Sequence, residues 1–118
     1  METTSIVFNL PKWNIEEYAG YTPKTTFWQD FSIAERFGEY AVRDTFRRAM
    51  SAWKSNHVYL TELVMVLNHK LNSLYVVGGT KEQNRMAELY NELWQQAEEY
   101  AQDHLEGEEL RYFYRMTD

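Results

Sequence analysis

Glu62 and His69 lie seven residues apart inside YLTELVMVLNHKL, residues 59–71, the most apolar run of the chain. Seven residues make about two helical turns, so both side chains would share one helix face. A carboxylate and an imidazole so placed are the parts of an acid–base pair or of half a metal site. The metal patterns are absent. Di-metal bundles place a His three residues after a Glu on each of two helices, but the residue three after Glu62 is Met65. The residues three before His57 and His69 are Lys54 and Val66, and no His-Glu-x-x-His occurs. The chain has three His and no Cys, which removes thiolate zinc sites, cysteine nucleophiles and disulfides together. Ser-His-Asp sets assemble in space, so spacing does not test them, but there is no Gly-x-Ser-x-Gly elbow. Gly78-Gly79-Thr80 lacks the Gly-Lys-Ser/Thr ending of a phosphate loop. The expectation is therefore a protein that is not an enzyme, with no cofactor, no metal and no small-molecule substrate. Val58, Leu60, Leu63, Val64, Val66, Leu67 and Leu71 surround most of the helix circumference. This predicts a central helix buried on more than one side, with Glu62 and His69 lining a narrow polar seam.

The elements that would hold these residues are punctuated clearly. Residues 1–26 lack helical periodicity and are predicted to be an irregular or extended N-terminal arm. Ser5–Leu10 would be a short strand or extended segment stopped by Pro11, with Gly20 and Pro23 keeping the rest irregular. Trp13, Tyr18 and Tyr21 would lay this arm across the helices. Residues 27–118 are predicted to be the helical domain. Ser32-Ile-Ala-Glu35 fits a capping box and would open a short helix closed near Gly38. A second helix is predicted over about 39–54, with Val42, Phe46, Ala49 and Trp53 on its apolar face. A third spans about 58–75 and ends at Gly78-Gly79. Thr80-Lys-Glu-Gln83 is a second capping box, opening the longest helix on the stripe Met86, Leu89, Leu93, Ala97, Tyr100, with Gly107 as its C-cap. Short connections point to an all-α fold, a compact antiparallel bundle of about four helices forming a single domain. Phe46, Leu63, Leu67 and Leu93 are expected in one core cluster.

Composition bounds the function. Apolar residues make up 44% and aromatics 16% of 118 residues, too much for a disordered chain. No run is long enough to span a bilayer, and METTSIVFNLPKW lacks the basic start and apolar stretch of a signal peptide. A cytoplasmic protein without membrane partners is expected. The net charge of −6 hides an asymmetry: residues 82–109 hold nine acidic residues and one basic, while residues 24–81 hold eight basic and five acidic. Opposite ends of opposite sign suit oriented docking or head-to-tail association.

Two stretches suggest binding surfaces. FSIAERFGEYAVRDTFRRA, residues 31–49, carries Ala34 and Gly38 at helix-turn-helix spacing, followed by Arg43, Arg47 and Arg48, with Lys54 beyond. The pattern is degenerate, because the positions that need apolar residues hold Asp44 and Arg47. At the other end, Arg111-Tyr112-Phe113-Tyr114-Arg115 combines residue types enriched in protein-binding hot spots. Arg111, Tyr112, Tyr114 and Arg115 are the candidate protein-binding residues, unless this tail folds back on Trp13 and Trp28 as a lid.

TFWQDFSIAERFG, AVRDTFRRAMSAWKSN, YLTELVMVLNHKL and EGEELRYFYRMTD resemble a family of small helical proteins of gut Bacteroidales and their phages or mobile elements. That resemblance covers most of the chain from Thr26 onward, carries no activity or catalytic residue with it, and implies an accessory role in a bacterial cytoplasm. The leading expectation is a non-enzymatic protein acting through protein–protein contact, by self-association or by docking on a host or phage partner. The alternatives are a DNA-binding regulator using residues 31–54, and an acidic DNA mimic that inhibits a defence system through residues 82–109.

Overall fold

The computed structural model describes residues 13–74 and 79–117, apart from the Tyr18 side chain. The expected Ser5–Leu10 segment and the expected helix end at Gly78 lie outside these residues. Among those described, the chain is all-helical, with no strand. Six helices occur where about four were expected: α1 (Ile15–Ala19), α2 (Phe27–Glu35), α3 (Glu39–Trp53), α4 (His57–Leu74), α5 (Lys81–His104) and α6 (Gly107–Thr117).

The additional helices lie at the ends, α1 in the arm and α6 over residues 107–117, where EELRYFYR reads as a last helical turn or two. The stretch predicted to be irregular contains α1, a single turn and a half closed by Gly20 at φ 66, where its N–H returns to the Glu16 carbonyl. So short a helix has little stability of its own, and burial of Ile15 at 2% exposure holds it in place. Gly107 does not cap α5. The long helix ends at His104, and Leu105, its C-cap, turns extended at ψ 146 and buries its side chain. Gly107, at φ 57, is the first residue of α6 instead.

The Ser32-Glu35 capping box is also absent. Helix α2 begins five residues earlier, after Thr26, so Ser32 stands inside it and donates to the Trp28 carbonyl at 2.8 Å. A hydroxyl within a helix can satisfy itself on the carbonyl one turn back. By contrast the Thr80–Gln83 box forms in full: Gln83 N donates to Thr80 Oγ1 at 3.1 Å, and Thr80 N donates to Gln83 Oε1 at 2.9 Å. Asn56 opens α4, its Oδ1 accepting from Val58 N and Tyr59 N.

Helix α4 is the axis of the molecule. Every residue from Leu60 to Leu67 is buried, and Phe46, Leu63, Leu67 and Leu93 share one core cluster with Phe31, Tyr90 and Phe113. The rungs Glu39–Arg85, Arg43–Glu92 and Lys54–Tyr100 show α3 and α5 running side by side in the same direction. No helix among the described residues is long and apolar enough to cross a membrane.

Candidate functional site

Glu62 does not line a solvated seam. It is 0% exposed, and its two carboxylate oxygens are saturated by the segment that precedes α2. Tyr21 Oη donates to Oε1 at 2.6 Å and Lys24 N to the same oxygen at 2.8 Å. Thr25 N donates to Oε2 at 2.9 Å, and Thr25 Oγ1 donates to it as well. Burying a carboxylate is costly unless donors replace water, and four donors do so here. Its oxygens are fully engaged, so Glu62 serves as the anchor that clamps residues 21–25 to α4. Desolvation, followed by the bond to Glu62, pushes the Tyr21 hydroxyl far above its ordinary 10.0. His69 belongs to a different contact, edge-on to Trp13 at 5.8 Å, and burial lowers its pKa.

A second buried polar group escaped the sequence reading. Lys70 is 2% exposed, with Nζ 3.1 Å from Glu35 Oε2, donating to Ser32 Oγ and lying 4.1 Å over the Trp28 ring. Tyr90 Oη completes the network by donating to Glu35 Oε2 at 2.7 Å. A lysine beside a serine is the pairing of some nucleophilic enzymes. Here Ser32 is 4% exposed and hands its proton to the Trp28 carbonyl, so substrate has no access and the hydroxyl no base. Desolvation lowers the Lys70 pKa, opposed by Glu35. The network ties α2, α4 and α5 together. No group of three or more His, Cys, Asp or Glu among the described residues could hold a metal ion.

The C-terminal candidates divide between two environments. Phe113, the residue between them, is 0% exposed and belongs to the core. Tyr112 is half-buried, edge-on to His57 at 5.5 Å, with the Arg115 guanidinium 5.5 Å from its ring. Arg111 pairs with Glu108 on its own helix, and Tyr114 is 40% exposed. Met116 reaches the small cluster of Ile15, Tyr21 and Met65, where Trp13 also packs.

Three of the basic candidates, Arg43, Arg47 and Lys54, line one side of α3 and its C-cap, Arg48 faces the α2–α3 groove on another side, and Val42 and Phe46 point inward. Arg43 is bidentate on Glu92, at 2.7 and 3.2 Å, and also bonds Glu39, which raises its pKa. Arg47 and Arg48 share Asp44. Lys54 stands 5.7 Å over the Tyr100 ring. Arg43, Arg47 and Lys54 form one wall of a groove of about 540 Å³ between α3 and α5, floored by Phe46, Met50 and Leu93.

The most exposed apolar side chains were not singled out by sequence. Phe37 is 76% and Tyr40 83% exposed, at the corner where α2 hands over to α3. Ile33 is also exposed, and so is Trp53, which the spacing of α3 placed on its apolar face but which the helix end leaves outside the core; both border a second groove, of about 470 Å³, between those helices. The sequence signal was FGEY: two aromatics on either side of a glycine, which takes φ 102 at the corner between the two helices. No protein-family model matches this sequence, and neither a curated protein nor a solved structure matches it significantly.

Proposed function

We propose that this is a non-enzymatic cytoplasmic protein that works by protein–protein contact, and that the first partner to test is a second copy of the chain. One observation carries the reading. Among the described residues, five large apolar side chains are exposed, and four of them, Ile33, Phe37, Tyr40 and Trp53, belong to α2, α3 and their corner. Scattered exposed apolar residues are ordinary, but concentration on one pair of helices marks a surface that a partner covers. Burying each such side chain contributes about 1.5–3 kcal/mol, enough for four to support a weak to moderate association.

The DNA-binding alternative is less well supported. Phosphate would have to displace carboxylates from Arg43, Arg47 and Arg48, giving up contacts the free protein already has. The acidic-mimic alternative rests on the surface carboxylates of α5, the turn after it and the first turn of α6, residues 82–109, of which Glu92 is committed to Arg43. Light scattering after size exclusion, across protein concentration, tests the reading directly. A concentration-dependent dimer or higher oligomer, weakened by Phe37→Ser with Tyr40→Ser, is expected. A strict monomer that shifts duplex DNA at nanomolar concentration would overturn it.

A further inference from the structure

The groove between α3 and α5 has a basic wall on α3, and an acidic stripe of α5 runs beside its other wall. On α3, Tyr40, Arg43, Arg47, Ser51 and Lys54 recur three or four residues apart, which places them on one stripe of the helix. On α5, Glu88, Glu92, Glu99 and Asp103 form a second stripe beside Gln96 and Tyr100, the two α5 polar and aromatic residues that line the groove. All four α5 carboxylates are exposed, as are Arg43, Arg47, Lys54 and Tyr40. Among the described residues, ion pairs between the two helices neutralise the upper part of this surface, through Arg43 with Glu92 and Arg85 with Glu39. Farther down, Lys54 is met by an aromatic ring and Arg47 by Asp44 of its own helix.

A two-fold rotation about the length of the groove brings α3 of one copy over α5 of the other. That rotation keeps each level of the groove opposite the same level of its copy and exchanges left for right. The basic stripe of α3 then faces the acidic stripe of α5 in the other copy, twice, as an isologous contact requires. We propose that the α3–α5 groove is a homodimer contact, closed by a second copy of this chain in this two-fold arrangement. Lys54, level with Tyr100, meets Glu99 and Asp103 across the interface, and Arg47, about two turns higher, faces the stretch between Glu92 and Glu99. The exposed Tyr40 ring, at the head of the α3 stripe, is covered by α5 of the other copy. Met50 and Phe46 supply the apolar floor, with Met50 able to adjust to the opposing surface. This inference rests on the reading of the protein as an interaction protein and names one contact, which covers Tyr40 and leaves Ile33 and Trp53, on the α2–α3 groove, outside it.

Charge reversal tests it. One variant carries Arg47→Glu and Lys54→Glu, the other Glu99→Lys and Asp103→Lys, and all four positions are exposed, so circular dichroism should show both folded. Light scattering at low salt should find the native chain dimeric and each variant monomeric, because each then opposes like charges. An equimolar mixture of the two should recover a dimer containing one copy of each, and added salt should weaken the native dimer. If both variants remain dimeric, the groove proposal falls while self-association stands through another surface. If the mixture stays monomeric although each variant is folded, the two-fold pairing is wrong. If the native chain is monomeric at every concentration and salt, the proposal fails, and the interaction reading survives only through stoichiometric binding of a different, identified protein.

Discussion

The Tyr21 hydroxyl donates to Glu62 Oε1 across 2.6 Å, joining residues 41 positions apart in a contact that excludes water. With Lys24 N and Thr25 at the same carboxylate, this bond holds the chain before α2 against the middle of α4. Replacing Glu62 with Leu would strand those donors. The expected loss is about 3–5 kcal/mol in urea denaturation, the scale set by removing one side of a buried charged contact. Tyr21→Phe removes a single bond and should cost about 1–3 kcal/mol. Equal, small losses for both would mean that the segment is held by something else.

Leu67 is fully buried in the main cluster beside Phe46, Leu63 and Leu93. Leu67→Ala should cost about 2–5 kcal/mol through lost transfer and the cavity left behind. A loss under about half a kilocalorie would place α4 at the periphery rather than the axis.

Helix α6 contributes Phe113 to the same core while leaving Tyr114 outside. Phe113→Ala should therefore lower stability by about 3–5 kcal/mol, and Tyr114→Ala by about half a kilocalorie or less. Deleting residues 108–118 should lower the melting temperature by many degrees. A deletion that keeps its melting temperature but loses partner capture would make this helix a docking segment instead.

Burial pushes the Tyr21 and Tyr90 hydroxyls above their ordinary 10.0, so above that pH the unfolded chain releases protons that the folded chain keeps. Stability must then fall as pH rises past 10. In ultraviolet titration, two of the nine tyrosines should ionise only as the protein unfolds. His69 acts at the other end: its pKa is lowered from 6.5 by burial, so the unfolded state binds its proton first as pH drops. Stability should fall through mildly acidic pH, and His69→Gln should flatten that slope. A slope unchanged by the substitution would assign the acid sensitivity to other groups.

Duplex DNA should not be shifted at moderate salt, since Arg43, Arg47 and Arg48 are each engaged by carboxylates. A specific shift at nanomolar protein, abolished by Arg43→Ala with Arg47→Ala, would reverse the order of the two readings.

Periodicity alone determined the helical class, the placement of α3, α4 and α5 and the core cluster of Phe46, Leu63, Leu67 and Leu93, because apolar spacing is a local property of the chain. The Thr80–Gln83 box was legible for the same reason: both partners lie within one turn. Ser32 and Glu35 carried the identical local pattern but did not form it. Tertiary packing of Phe27, Trp28 and Phe31 extends α2 upstream and recruits Glu35 to Lys70 and Tyr90 instead. The same holds for Glu62, read as a polar edge because its neighbours in sequence are apolar. Its four donors come from residues 37 to 41 positions earlier, and no spacing rule links groups that meet only when the chain folds back. The exposure of Phe37 and Tyr40 was hidden for the converse reason, since an aromatic residue predicts burial unless the fold turns it outward. Local hydrogen bonding and apolar rhythm are written along the chain, whereas which polar groups are saturated and which apolar faces stay uncovered depends on distances across the fold.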